Sequence, residues 1–232
     1  MTLQFHSFGI SDIGRARANN EDLFAILEEK RLFLLADGMG GHLAGEVAAA
    51  MTLETFNDIL HPPFPTTIEE GCLFLRKALQ EANRRVFTLA RDCPNHLGMG
   101  TTLSCFLLTE QHLVYAHVGD SRLYRYRQDL KQLTEDHSAR QCRPFRPPRQ
   151  VLTRAIGTSS TLLPDLGVIP LQPGDLYMLC SDGLSDSLKE EELSQLLSSS
   201  GSLEEKGGNL VKTALEKGGN DNITLLLVQI RQ

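Results

Sequence analysis

Residues 31–46 read RLFLLADGMGGHLAGE, and the reading of this stretch decides how the rest of the chain is placed. Leu32 to Ala36 is a short apolar run that follows the charged turn Glu28-Glu29-Lys30, which predicts a buried strand. Asp37 ends it. Gly38 lets backbone and ligand approach closely and leaves its own carbonyl unobstructed. Hard cations take carboxylate, carbonyl and water oxygens of this kind, so the stretch reads as half of a metal site. Taken alone, Asp37 serves equally well as a turn residue, and the metal reading needs partners elsewhere.

Working outward, Leu23–Leu27 and the 32–36 run flank that charged turn and predict an antiparallel hairpin. Its geometry sets the start of one strand opposite the end of the other. Glu21 and Asp22 are thereby brought to Asp37. Arg17, just upstream, fits either a solvated loop or a bidentate phosphate contact. The opening pattern recurs at 175–183, DLYMLCSDG, an apolar strand ending in Asp182-Gly183. At 220–230, NDNITLLLVQI, an acid precedes a strand, and in an antiparallel sheet that start lies at the edge where a neighbour ends. Asp221 can therefore join Asp37 and Asp182.

Gly119-Asp120-Ser121 separates two β-rich runs, 113–118 and 122–127, and reads as hairpin punctuation that adds Asp120 to the set. Helices are expected from His42 to Leu60, from Ile68 to residue 91, from Lys189 to about Leu197, and over a segment ending near Lys217 that breaks or begins at Gly207-Gly208. Residues 134–157 hold Arg140, Arg143, Arg146 and Arg149 among three prolines. They predict an irregular, proline-stiffened basic loop, either a solvated surface or a means of gathering an anionic substrate.

Glu21, Asp22, Asp37, Asp120, Asp182 and Asp221 converge with no matching set of basic partners. Divalent cations neutralise such a cluster, and an all-oxygen set favours Mg²⁺ or Mn²⁺ over Zn²⁺. Two ions about 3.5–4 Å apart lower the pKa of a bound water and give hydrolytic chemistry. Arg17 would hold the non-reacting phosphoryl oxygens. His42 could protonate the leaving group, although a lone histidine after a glycine turn is more often structural.

The bulk properties agree. A length of 232 residues with 41% hydrophobic content accommodates one large domain or two small ones. A formal net charge of -6 argues against a nucleic-acid partner. No stretch approaches the length of a membrane span and the N-terminus lacks the pattern of a secretion signal, so a cytoplasmic protein is expected. The five cysteines (Cys72, Cys93, Cys105, Cys142, Cys180) form no C-x-x-C and read as reduced, mostly core-filling thiols.

Eight segments carry a family resemblance that spacing alone does not establish: GRARANNED (14–22), ADGMGGHLAGE (36–46), GMGTTL (98–103), HVGDSRLYR (117–125), LTEDHS (133–138), LTRAIG (152–157), CSDGLSD (180–186) and NDNIT (220–224). In this order they resemble the PPM metal-dependent protein serine/threonine phosphatases, or protein phosphatase 2C, in the bacterial branch. The resemblance implies one catalytic domain over 1–232, an α/β (α+β) sandwich of two mostly antiparallel sheets flanked by helices. It implies two Mn²⁺ or Mg²⁺ ions bridged by Asp37, with the Gly38 carbonyl on one and Asp182 and Asp221 on the other. Asp22 and Glu21 would act through water, Asp120 with Asp182 would take a third ion, and Arg17 would bind phosphate. Metal-bound hydroxide would attack a phosphoserine or phosphothreonine ester on a protein, and the expected partner is a cognate kinase whose action a monomeric enzyme reverses. The chain departs from the pattern at 139–151, a shortened flap whose Arg143, Arg146 and Arg149 are candidate substrate contacts beside a more open cleft.

Two other readings compete. A dinucleotide site fails because Leu43 stands at the third position of G-x-G-x-x-G and Asp37 would repel a pyrophosphate. A non-catalytic phosphoprotein-binding regulator on the same fold should have lost metal ligands, and none is missing.

Overall fold

Leu32, Leu34 and Ala36 point to one face of their strand and Phe33 and Leu35 to the other, and all five are fully buried. A strand buried on both faces must lie inside a layered fold. The computed structural model describes residues 3–40, 44–143 and 146–231, and the side chains of these except at 142, 143 and 146–149. In chain order the elements are β1 (Phe5–Asp12), β2 (Asp22–Leu27), β3 (Leu32–Met39), α1 (Ala44–Ile59), α2 (Ile68–Asp92), β4 (Gly100–Thr101), β5 (Leu103–Leu108), β6 (His112–Val118), β7 (Arg122–Tyr126) and β8 (Leu130–Gln132). They continue with β9 (Ser138–Arg143), β10 (Arg146–Leu152), β11 (Asp165–Pro170), β12 (Leu176–Cys180), α3 (Asp182–Ser185), α4 (Glu190–Ser198), α5 (Leu203–Glu216) and β13 (Ile223–Ile230).

One sheet runs β1-β13-β12-β7-β8 and the other β11-β6-β5-β3-β2, and every pairing between strands is antiparallel. Phe33, Phe106, Tyr177, Leu179 and Leu226 fill the seam between the sheets, with Phe33 and Phe106 stacked at 4.9 Å. Each such side chain contributes about 2 kcal/mol by leaving water. The outer face of the second sheet, through Leu32 and Leu34, packs on α1 and α2. The outer face of the first, through Leu225 and Leu227, packs on α3, α4 and α5. The expected sandwich of two antiparallel sheets flanked by helices is therefore present. No helix among the described residues is long and apolar enough to cross a membrane.

The predicted β2–β3 hairpin forms with Asp22 opposite Asp37 and Leu27 opposite Leu32. Three expectations are corrected. Gly119-Asp120-Ser121 does not close a hairpin, because β6 and β7 belong to different sheets; the turn passes the chain from one to the other. Residues 138–143 and 146–152 are not irregular but pair as a two-stranded ribbon of β9 and β10, with a register irregularity between Arg146 and Arg149. Prolines are tolerated there because a two-stranded ribbon consists entirely of edges. Helix α5 does not break at Gly207-Gly208: a Cβ on Gly207 would stand 2.5 Å from the Phe8 ring, so close packing on β1 takes precedence over local propensity. The helix expected from His42 begins, within the described residues, at Ala44. Cys105 and Cys180 are buried in the core, while Cys72 and Cys93 are only partly covered; the side chain of Cys142 lies outside the described residues.

Candidate metal-dependent active site

The acids gather at one end of the sandwich, where both sheets expose strand ends. Asp22 and Asp37 come from the β2–β3 pair, Asp120 follows β6, Asp182 opens α3 after β12, and Asp221 precedes β13. A cleft of about 470 Å³ opens between them, bounded by Arg17, Glu21, Asp37, Gly38, Asp120, Asp182 and Asp221. Asp22 lies beneath it, 3% exposed. The ribbon supplies the remaining wall through Gln150, Val151 and Leu152.

Backbone and hydroxyl groups fix the segments that carry these acids, and of their carboxyls only that of Asp221 has a cation partner among the described residues. The Asp37 amide donates to Thr102 Oγ1 at 3.0 Å, and its carbonyl accepts from the Thr102 amide at 2.8 Å. Ser181 Oγ donates to Asp22 Oδ2 at 2.7 Å. Asn222 ties the 13–21 segment to β13: its Oδ1 accepts from the Glu21 amide at 2.9 Å, and its Nδ2 donates to the Ile13 and Asn19 carbonyls at 2.9 and 3.0 Å. Gly38 donates to the Glu21 carbonyl at 3.0 Å. A Cβ on Gly38 would lie 2.2 Å from the Gly45 carbonyl, so the glycine is required by the contact between β3 and the start of α1.

Arg17 is the cation the sequence places here. It donates to Asp221 Oδ2 at 2.5 Å from a half-exposed position. Among the described residues the other carboxyls of the rim lack such a partner. Burial first, then the charges of Asp22, Asp182, Asp120 and Asp221, raise Asp37 well above the usual carboxylate range. Burial raises Asp22 to about 6, against the hydrogen bonds from Ser181 and Thr224. Burial and the neighbouring acids raise Asp120 to about 6 and Asp182 to about 7. Glu21 is also raised, chiefly by burial, and its Oε1 is buried with no hydrogen-bond partner among the described residues.

Among the described residues no three acidic, histidine or cysteine side chains form a ready-made ligand cage. The donors nevertheless suit a divalent cation, being all oxygen, uncompensated and open to a cleft. His42 lies outside the described residues, as do the side chains of Arg143, Arg146 and Arg149. Gln150 and Leu152 reach the cleft from the ribbon that carries those arginines. Ser181, Asn222 and Thr102 are legible in the sequence only as members of the CSDGLSD, NDNIT and GMGTTL segments. Asp186, at the end of α3, lines an adjoining cavity of about 480 Å³ that shares Asp182 and Asp221; its carboxyl is also raised, first by burial.

An acid rim shared by two sheets, with Arg17 beside it and neither Ser nor Cys lining the cleft among the described residues, fits a metal-assisted hydrolase. The model of the family described as "Protein phosphatase 2C" matches residues 14–218, and the chain belongs to that family. It is 37% identical to the serine/threonine phosphatase stp of Listeria innocua, over 94% of this chain and 93% of the relative. The serine/threonine phosphatase of S. agalactiae superposes with a TM-score of 0.90 at 32% identity, covering 98% of this chain and 100% of that one. The catalytic domain of the phosphatase PstP in complex with two manganese ions superposes with a TM-score of 0.86 at 32% identity, over the whole of both chains. The protein is thus a metal-dependent serine/threonine protein phosphatase.

Proposed function

We propose that this phosphatase reverses the action of a cognate serine/threonine kinase, working as a monomer in the cytoplasm, with the acid rim as its catalytic centre. The observation that carries the assignment of the centre is the convergence of Asp22, Asp37, Asp120, Asp182 and Asp221 with Arg17 as their cation. In this reading Asp37, the Gly38 carbonyl, Asp182 and Asp221 would hold two divalent ions. Asp22 and Glu21 would support that site, and Asp120 with Asp182 would hold a third ion. The ions supply charge neutralisation and Lewis acidity at the phosphoryl group.

The chain's own residues bind and orient. Arg17 exchanges its contact with Asp221 for the non-reacting oxygens of the phosphoryl group, a charge-assisted pair that tightens as charge builds on them. Asn222 and Ser181 keep the 13–22 segment and Asp22 fixed to the opposite sheet. Gln150, Val151 and Leu152 meet the polypeptide around the phosphorylated residue, and the ribbon arginines are assigned the same role by position. His42 is assigned the leaving-group proton from its place in the sequence.

Hydrolysis of p-nitrophenyl phosphate and of a phosphothreonine peptide should require Mn²⁺ or Mg²⁺, vanish with chelation and return on adding metal. Activity that survives both chelation and Asp37→Asn would overturn the metal mechanism. Inert, metal-loaded protein that still binds phosphopeptide would favour the regulator.

A further inference from the structure

A closely knit polar group outside the acid rim is built on His137, which is 4% exposed. It directly precedes β9. Its backbone N–H donates to the Gly119 carbonyl at 2.6 Å, and its carbonyl accepts from the Thr153 amide at 2.8 Å. Thr153 directly follows β10, so one residue ties together both roots of the ribbon.

The side chain repeats these ties. Nδ1 accepts from the Gly119 amide at 3.2 Å, which leaves the ring proton on Nε2, 3.1 Å from Asp165 Oδ2. Arg154, next after Thr153, lies 3.1 Å from Nε2 and directs a proton to Asp165 Oδ1 at 2.8 Å. Gly119 is therefore gripped at both its N–H and its C=O by a single residue. It turns at φ +111, and a Cβ there would stand 2.6 Å from Thr102. The residue it delivers is Asp120. The ring of buried His117 packs on that of His137 at 4.7 Å and closes off the side facing the core. A space-filling core histidine needs only satisfied nitrogens; here ring and backbone both reach the two segments that line the cleft.

We infer that His137 is a positioning residue: through Gly119 it sets Asp120 in the cleft, and through Thr153 and Asp165 it sets the wall of Gln150 and Leu152. Placement of the Asp120 carboxylate and contact with the protein substrate are thereby tied to one residue, its ring acting on Gly119 and Asp165 and its backbone on Gly119 and Thr153. The inference rests on the reading of Asp120 as a cation-facing carboxylate. Groups behind metal ligands typically matter by one to two orders of magnitude in affinity.

The test compares His137→Ala, His137→Asn, His137→Gln, Asp165→Ala and Asp120→Asn in the full chain. Asn retains an acceptor near the place of Nδ1, and Gln places an amide near that of Nε2. Calorimetric titration with Mn²⁺ should show the weakest site of His137→Ala weakened about tenfold, with Asn restoring it and Gln not. The KM for a phosphothreonine peptide should rise about tenfold in His137→Ala and Asp165→Ala, while that for p-nitrophenyl phosphate at saturating Mn²⁺ stays within about twofold. Hydrogen exchange at the Gly119 amide should speed up in His137→Ala and Gln but not in Asn. If all His137 variants merely lower Tm, with Mn²⁺ affinity and the ratio of the two KM values unchanged, the residue is structural and the inference falls. Should His137→Ala fail to fold, the Asn–Gln pair reads the metal side and Asp165→Ala, at a half-exposed position, reads the substrate side. Unchanged Mn²⁺ affinity in Asp120→Asn would overturn the reading of Asp120; weakened affinity there but not in the Gln variant would overturn the positioning role alone.

Discussion

Two aspartates withdrawn from water at opposite ends of the sandwich have opposite fates. Asp175, fully buried ahead of β12, receives Arg127 at 2.5 and 2.8 Å, the Tyr177 hydroxyl at 3.0 Å and the Gln172 amide at 3.0 Å. Burial alone would raise its carboxyl, but these partners hold it below the usual range. Asp22, nearly as buried, has hydroxyl partners and no cation in hydrogen-bond contact, and rises to about 6. The fold can therefore satisfy a buried carboxylate completely. Where it does not, the deficit coincides with the cleft, as expected of a site built to be completed from outside.

Substitution separates the two ends most sharply. Asp37→Asn should cut kcat on the order of 10³-fold while raising the Tm of chelator-treated protein, since a repelling charge is removed. Asp175→Asn should leave kcat unchanged and cost about 3 kcal/mol by stranding the partly buried Arg127, read by denaturant unfolding. If Asp37→Asn instead lowered metal-free stability as much as Asp175→Asn, the two ends would not differ in kind.

The pH dependence of metal-free stability offers the next test. Asp22, Asp120 and Asp182 have folded values of about 6, 6 and 7, above the ordinary 3.8. Their contribution is complete below the unfolded value and is lost as pH rises through about 6–7. Tm in chelator should fall on the order of 10 °C between pH 4.5 and 7.5, and Mn²⁺ should reverse the fall. Asp175, lowered, contributes above its unfolded value and is lost only in acid. A flat Tm over this range without metal would remove the electrostatic distinction.

The smallest expected effect belongs to Arg17, whose pair with Asp221 is half exposed. Arg17→Ala should shift Tm by about a degree at most, yet raise KM about tenfold through the lost phosphate contact. An unchanged KM would leave Arg17 only the Asp221 pairing.

Much of this was legible locally. The charged turn at 28–30 and the two-faced apolar run at 32–36 specify the β2–β3 hairpin, and the Asp-Gly echo at 182 points to the same rim. What escaped depended on distant partners. A Gly-Asp-Ser turn looks alike whether it closes a hairpin or crosses between sheets; here β7 pairs with β12, Leu123 opposite Leu179, and that choice is invisible in residues 113–127. The prolines of 144–148 correctly ruled out a central strand but not an edge-only ribbon. Gly207 signalled a break because its partner Phe8 lies some two hundred positions away. The links made by Ser181, Asn222 and His137 likewise join segments that only the fold brings together.

The seam between the sheets gives the rim a mechanical character. Asp22, Asp37 and Asp120 ride on one sheet, Asp182 and Asp221 on the other, and the faces between them meet through apolar side chains such as Phe33, Tyr177 and Leu226. Contacts of that kind resist separation more than sliding. A small shear between the layers would alter the spacing of opposing carboxylates at once, so the acid rim registers how the two sheets are aligned.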